Sequence, residues 1–391
     1  MPNEITDLQK CFGCEACVNA CPVGCIAFQQ DDEGFFVPQI DAEKCIDCNK
    51  CRKICPANSA AEFHDVRHVF AAWSLDESIR CSSSSGGLYS VFANHVIDGG
   101  GVANGVKFDS NTILYHGLFE TRDDIQSCRG SKYVQSRPGM IYKQVKDALD
   151  TGKKVLFTST PCQVDALYRF LGNDHPNLIT CDLICHGVPS PEFLKKTIAV
   201  INHDKNEISE ITFRNLSKWG GCGVFINGNR QRNVADELYI NTFLKGYSYR
   251  ESCYNCPYAT EKRVSDFTLG DFWGLGEYRA FKHDKSKGVS LLLINSKKGN
   301  DFFEEIKKDL FFEKRAFSEA VRENHQLKSP VKRHPLRDCF YFDMKNMAAD
   351  DAMKKYCSAH GLVNKLIRFP FRVTIKIGKK TLRISNLMDR I

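Results

Sequence analysis

The 391-residue sequence has no run approaching the ~20 consecutive apolar residues that a membrane-spanning helix requires. Its first seven residues, Met1 to Asp7, lack the basic start and apolar stretch of a secretory signal. No segment interleaves basic and aromatic residues like a nucleic-acid-binding motif, so no nucleic-acid partner is expected. These absences point to a cytoplasmic protein, where thiols stay reduced. An excess of either charge is also scarce over most of the chain. The formal net charge is +7, yet Lys365 to Ile391 carry eight basic residues against one acid, Asp389, and account for all of it. That tail also holds Phe369, Phe371, Ile375, Ile377, Leu382 and Ile384. It reads first as a solvated or self-packed terminal element. Peripheral contact with an anionic membrane is the alternative.

Cysteine is abundant instead. Nineteen in such a chain indicate metal or redox chemistry rather than a disulfide scaffold. "CFGCEACVNACP" places Cys11, Cys14, Cys17 and Cys21 in C-x2-C-x2-C-x3-C-P spacing, and "CIDCNKCRKICP" repeats it with Cys45, Cys48, Cys51 and Cys55. Three thiolates on a tight loop grip one [4Fe-4S] cubane, and the fourth, before proline, turns to the other. The expected sets are Cys11, Cys14, Cys17 and Cys55 for one cluster, and Cys45, Cys48, Cys51 and Cys21 for the second. Zinc also takes C-x2-C pairs, but two complete four-cysteine runs of this form favour iron. Residues 1–60 thus resemble bacterial two-cluster ferredoxins. Cys25 reads as a small buried hydrophobe.

After a linker the pattern turns α/β. "RHVFAAW", "VANGVKF", "ILYHGLF", "LITCDLIC" and "GVSLLLINS" read as strands. Leu88, Val91, Phe92, Val96 and Ile97 form one helical stripe. A mostly parallel or mixed sheet flanked by helices follows. Three loops have anion-binding character: "CSSSSGG" before a helix, the turn "FTSTPCQ", and "CRGSKYVQS" with Lys132. Each has a plainer reading, as a cap, a turn or a solvated lysine. "ESCYNCPY" leaves Cys253 and Cys256 as an isolated C-x-x-C pair, open to a redox disulfide, half of a zinc site, half of a larger site or two buried thiols.

"SSGGLYSVFA", "GSKYVQS", "TPCQVDAL", "LICHGVPSP", "SCYNCPYA" and "DFTLGDFWG" occur in this order. Together they resemble the coenzyme F-420 hydrogenase/dehydrogenase beta subunit family, to which hydroxymethyl chlorophyll reductase is related, over roughly residues 1–345. The resemblance implies an iron–sulfur oxidoreductase binding FAD. It also implies a third [4Fe-4S] cluster on Cys162, Cys185, Cys253 and Cys256. Four thiolates from three loops agree with a cubane, or with one zinc. Cys181 and Cys222 are the alternative ligands, while Cys81, Cys128, Cys339 and Cys357 carry no assigned chemistry.

The expected architecture is α+β or α/β. A two-cluster ferredoxin-like domain (1–60) precedes a mixed α/β flavin-binding domain (61–345) and a basic extension (346–391). Expected flavin contacts are Ser84, Ser85, Gly86, Gly87, Lys132, Thr158, Ser159 and Thr160. Lys132, His186 and Arg214 are the catalytic candidates; Lys218, Trp219 and Asp271 are further pocket residues. A ferredoxin or similar donor would supply electrons to a small organic acceptor, F-420-like or glycan-related. The competing reading is a non-catalytic subunit that wires a partner enzyme to ferredoxin.

Overall fold

The computed structural model describes residues 4–204, 206–214, 219–230 and 234–356, with the backbone of two short paired strands, Ile375–Ile377 and Lys380–Leu382. Lys218, Cys357 and the rest of the basic tail lie outside the described residues. The N-terminal segment holds helix α1 (Ala16–Ala20), the hairpin β1 (Ile26–Gln30) and β2 (Phe36–Ile40), and helix α2 (Lys50–Lys53). The body continues through β3 (His68–Ser74), α3 (Glu77–Cys81), α4 (Leu88–Asp98), β4 (Val102–Phe108), β5 (Leu114–Phe119) and α5 (Arg122–Cys128). Next come β6 (Ser136–Arg137), α6 (Ile141–Asp150), β7 (Val155–Ser159), α7 (Pro161–Leu171), β8 (Leu178–Leu183) and α8 (Pro191–Ile201). The remainder comprises β9 (Ile211–Arg214), β10 (Cys222–Ile226), β11 (Asn229–Arg230), α9 (Val234–Leu244), β12 (Phe267–Asp271), β13 (Ser290–Ile294), α10 (Lys297–Ile306), β14 (Leu310–Lys314), α11 (Phe317–Glu323) and α12 (Arg337–Asn346).

Local chemistry explains the boundaries. Asp76, Thr121, Ser190 and Ser296 each accept from N–H groups in the first turn of α3, α5, α8 and α10. Pro161 starts α7, and Gly172, at φ +81°, ends it. The apolar strands form a nine-stranded sheet in the order β14-β3-β13-β12-β8-β7-β4-β5-β6. β12, β8, β7 and β4 are mutually parallel. β3 runs the same way, because β13 is antiparallel to both β12 and β3. β13 is buried at every position, as expected of a strand covered on both faces.

Leu88, Val91, Phe92 and Val96 of α4 bury against Phe70, Leu156, Phe267 and Leu292 on one face. On the other, Tyr142 and Val145 of α6 and Val164 and Leu167 of α7 cover Val102, Val155, Phe157 and Leu178. Cys14 and Ala16 join this second core. β9, β10 and β11 form a separate small sheet. Its core includes Phe35 from the N-terminal segment and extends through Phe340 to Ala352, Met353 and Tyr356.

The topology has one functional consequence. The carboxyl ends of β3, β12, β8, β7 and β4 lie along the same edge of the sheet, which is where open α/β sheets place ligands. Ser84–Gly87, Asp271, Cys185 with His186, and Thr158–Cys162 all lie at or just beyond those ends.

Candidate iron–sulfur and cofactor site

The first thiol group lines a small, partly open pocket, with Cys11, Cys14, Cys17 and Cys55 around it and Phe12 and Pro56 among its walls. The loop turns tightly enough because Gly13 and Glu15 adopt left-handed backbone, at φ +67° and +56°. Burial raises the thiols of Cys14, Cys17 and Cys55, and each also feels the charge of Cys11. Metal would have to displace those protons.

Cys21 leaves this loop for a second group. Burial and then the charges of Cys48 and Cys21 raise the Cys51 thiol. Cys25 lies closer to this group than a plain core residue would. Its sulfur is 3.4 Å from that of Cys21. Burial first, then Cys21 and Cys45, push its thiol up to about 12. Cys48 is exposed, and Ile46 beside it is 60% exposed.

The third gathering contains Cys162, Cys185, Cys253 and Cys256. Cys162 follows Pro161 at the start of α7, Cys185 follows β8, and the pair belongs to the short helical turn at 251–255 and its exit. Burial raises all four thiols, with Cys185 and Cys253 reaching about 12. Cys162 is acted on by Cys185, Cys256 and Cys253. The Thr160 hydroxyl is 3.3 Å from the Cys162 sulfur. Arg263, 2% exposed and ion-paired to Asp182 at 2.9 Å, lowers Cys185 and Cys256 against the effect of burial. Cys181 and Cys222 stand apart. Cys181 is buried in the core under α4, and Cys222 lies beside Arg214 and Tyr133. Among the described residues, no three His, Cys, Asp or Glu groups converge on a point that would suit one ion.

The first and third groups are joined by direct contacts. Arg250 Nε and Ser252 Oγ donate to the Cys11 carbonyl at 2.5 and 2.9 Å. The Tyr142 hydroxyl donates to the Cys14 carbonyl at 2.7 Å, and both Cys14 and Cys162 influence its phenol. Tyr258 likewise feels Cys162 and Cys14 while its ring meets Phe12 edge-on. None of these residues stands out in the sequence. A basic or aromatic side chain near a C-x-x-C pair has no spacing signature.

The expected flavin contacts divide. Gly86 donates its N–H to Ser290 Oγ at 2.9 Å, and a Cβ there would lie 2.4 Å from the Ala72 carbonyl. Its smallness therefore serves loop packing, and its N–H is not offered to a phosphate. Gly87 begins α4 with no side-chain cap, leaving the first-turn N–H groups to an anion. Lys132 donates to the carbonyls of Cys128, Arg129 and Gly130 at 2.9, 2.8 and 3.1 Å. An ammonium has three donors, so Lys132 closes the end of α5 and has none left for a phosphate or ring. Burial draws its pKa down to about 8. The Ser159 and Thr160 hydroxyls both donate to Gln163, and Asn104 holds the Thr158 carbonyl. This turn thus braces Cys162. β3 and β7 stand four places apart, ~19 Å at ordinary strand spacing. A ligand touching both the 84–87 and 158–160 loops must extend along the edge.

Between them lies a polar and aromatic cluster. Arg214, 4% exposed, meets Asp271 at 3.0 Å, the Tyr133 hydroxyl at 3.1 Å and the Ser84 carbonyl at 3.3 Å. Burial opposes its charge, but Asp271 holds the guanidinium firmly protonated. Trp219 donates to Asp271 at 2.9 Å and stacks on Trp273, with ring centroids 5.4 Å apart. Burial lowers the pKa of His186, which feels Asp271 and stacks near Phe243.

Residues 152–320 match the family described as the C terminus of the coenzyme F420 hydrogenase/dehydrogenase beta subunit. The chain carries a domain of this family. Residues 10–59 match the 4Fe-4S dicluster domain. The F420 hydrogenase beta-subunit-like chain is thus an iron–sulfur electron-transfer oxidoreductase by domain composition. An uncharacterized protein of Methanocaldococcus jannaschii is 24% identical over 348 residues, 78% of this chain and 88% of that one. A solved structure titled as a xenon derivatization of the F420-reducing [NiFe] hydrogenase complex from Methanosarcina barkeri is 16% identical, with a TM-score of 0.45, covering 79% of this chain and 96% of its own. No helix among the described residues is long and apolar enough to cross a membrane.

Proposed function

We propose that this beta-subunit-like chain is a flavoprotein reductase with three [4Fe-4S] clusters. Cys11, Cys14, Cys17 and Cys55 would hold one, Cys45, Cys48, Cys51 and Cys21 a second, and Cys162, Cys185, Cys253 and Cys256 a third. FAD would lie along the carboxyl edge of the sheet. The observation that carries this reading is the gathering of four thiols from three loops directly behind the Cys11 loop. With a dicluster domain matched at residues 10–59, a third cubane fits the central thiols better than a zinc ion. When bound, the clusters supply one-electron carriage, and the flavin couples it to two-electron exchange with an organic substrate.

The chain's own residues place and tune these groups. Arg263 and Thr160 supply charge and a hydroxyl beside the central thiols. The open first turn of α4 receives phosphate. Trp219 and Trp273 offer a flat apolar wall, and Arg214 with Asp271 fixes the adjoining loops. His186, kept neutral by burial, is the residue placed to hold a proton near the reacting end. The exposed face around Ile46 and Cys48 receives the electron donor, a ferredoxin or similar protein. The acceptor is a small organic molecule, F420-like or glycan-related.

Anaerobic purification with iron, sulfide and flavin assays tests the proposal. About twelve irons and one FAD per chain support it. Cys253→Ser should remove about four irons and leave the ferredoxin-type signal intact. A chain without flavin would be an electron-transfer subunit instead, and about eight irons would remove the central cluster.

A further inference from the structure

Arg250 is 4% exposed. Of the other buried arginines, Arg214, Arg263, Arg315 and Arg337 each face a carboxylate, while Arg80 bonds the Gly288 and Asp284 carbonyls beneath the face of Trp73. Among the described residues, no carboxylate pairs with Arg250, and its hydrogen-bond partners are carbonyls. Nε reaches the Cys11 carbonyl at 2.5 Å, and Nη1 reaches the Phe36 carbonyl at 3.1 Å. A buried cation without a counter-charge is strongly unfavourable. An anion beside it in the working protein would offset that cost.

The backbone shows where. The Arg250 N–H donates to the Val188 carbonyl at 2.9 Å, three residues after Cys185. Its own carbonyl accepts from the Cys253 N–H at 3.0 Å. On the other side, a Cβ on Gly13 would lie 3.2 Å from Nη1. Arg250 therefore has its backbone on the loop of Cys253 and Cys256 and its guanidinium on the loop of Cys11 and Gly13.

We infer that Arg250 is the electrostatic bridge between the first thiol group and the central one, its charge favouring the more negative, reduced state of both. The inference rests on the three-cluster reading above, because metal–thiolate clusters supply the anions that Arg250 lacks. Arg250 is a positioning and tuning residue that acts through the ligand loops. Ser252 supports it by donating to the same Cys11 carbonyl.

The test uses the full chain, purified without oxygen, with iron counting and redox titration followed by electron paramagnetic resonance. Arg250→Met keeps the volume and removes the charge, whereas Arg250→Lys keeps the charge. The Met variant should retain about twelve irons. Reduction of the first and central clusters should become at least tenfold less favourable, about 59 mV for a one-electron couple, with the second cluster unmoved. The Lys variant should stay within about threefold of the parent, a rescue that a purely structural role would not give. Iron lost from the Met variant but kept by the Lys variant also supports the inference, since the clusters then depend on the charge. Unchanged potentials in a fully loaded Met variant overturn it, as does equal iron loss from both variants. About eight irons in the unmutated chain is a separate result, which removes the three-cluster reading and this inference with it.

Discussion

Replacing Gly13 by alanine tests how rigidly the first cysteine loop is seated. Gly13 sits at φ +67°, where a side chain costs about 1–2 kcal/mol. The new Cβ would also lie 2.3 Å from Gln135 Nε2, a distance that forces movement. Gln135 is 3% exposed and cannot yield freely. Its side chain accepts from the Phe36 N–H at 3.0 Å and donates to the Phe36 carbonyl at 3.3 Å. Losing one or both of these bonds costs about 1–2 kcal/mol more. The expected total is about 3 kcal/mol, which raises the open population of the loop by about two powers of ten. Iron release to a ferrous chelator without oxygen reads this opening directly. Gln135→Ala alone should cost about 1–2 kcal/mol. Gly13→Ala with Gln135→Ala should cost about 1 kcal/mol less than the sum, because the collision is gone. Release at the parent rate from Gly13→Ala, or strict additivity in the double variant, would refute the reasoning.

Three other perturbations have definite outcomes. Cys181→Ala should leave the iron count unchanged and cost about 1 kcal/mol in thermal unfolding, since Cys181 lies in the core under α4; loss of iron would make it a ligand. Arg263→Met should destabilise the protein by about 3–5 kcal/mol. It strands Asp182, fully buried and with an Oδ2 that has no hydrogen-bond partner among the described residues. Adding Asp182→Asn should recover more than half of the loss in unfolding midpoint; no recovery would mean the pair is not the cause. His116 is 8% exposed, and burial lowers its pKa to about 3. The unfolded chain takes up this proton near pH 6.5 and the folded chain does not, so stability is complete above 6.5 and falls as the pH drops toward 3. The slope is up to ~1.4 kcal/mol per unit. Unfolding compared at pH 7.5 and 5.5 should show it, and His116→Gln should flatten it; equal slopes in both proteins would exclude His116 as the source.

The legible parts of this protein were those in which one residue type at one spacing has a single chemical use. The two four-cysteine runs are of that kind. So are the apolar runs that became β3, β4, β8 and β13, and the stripe of α4, of which only Ile97 is not fully buried. Lys132 and Gly86 show the limit. The sequence placed each beside a Ser-Gly loop with anion-binding character, but only three dimensions show that Lys132 is consumed by three carbonyls and Gly86 by Ser290 and Ala72. Cys25 is buried in an apolar cluster, as a small hydrophobe would be, and the fold also sets its sulfur 3.4 Å from that of Cys21, which no spacing signals. Arg250, Ser252, Tyr142, Tyr258 and Gln135 were invisible for a related reason. Their roles depend on contacts spanning between 96 and 246 positions in the chain.

Those long contacts bear on why the dicluster segment and the larger body share one chain. Tyr142 holds the Cys14 carbonyl, Arg250 and Ser252 hold the Cys11 carbonyl, and Asn19 donates to the Gly139 carbonyl at 2.7 Å. Glu15, 1% exposed, is paired with Arg137 and accepts from the Gly139 N–H. Arg337 clasps Glu33 with both terminal nitrogens, at 2.8 and 2.6 Å, and donates to the Tyr249 carbonyl at 3.0 Å. Each contact leaves a buried polar group without a partner if the segments separate, and such groups are expensive in a low-dielectric interior. The second thiol group takes little part in this seam, and its Cys48 is exposed. Bonding is thus concentrated between the first and central groups, and the second keeps its exposure, as the proposed relay with a docking donor would require. A separable carrier domain would need the opposite arrangement, with a polar and weakly bonded seam. The buried seam therefore favours a fixed relay over a swinging one.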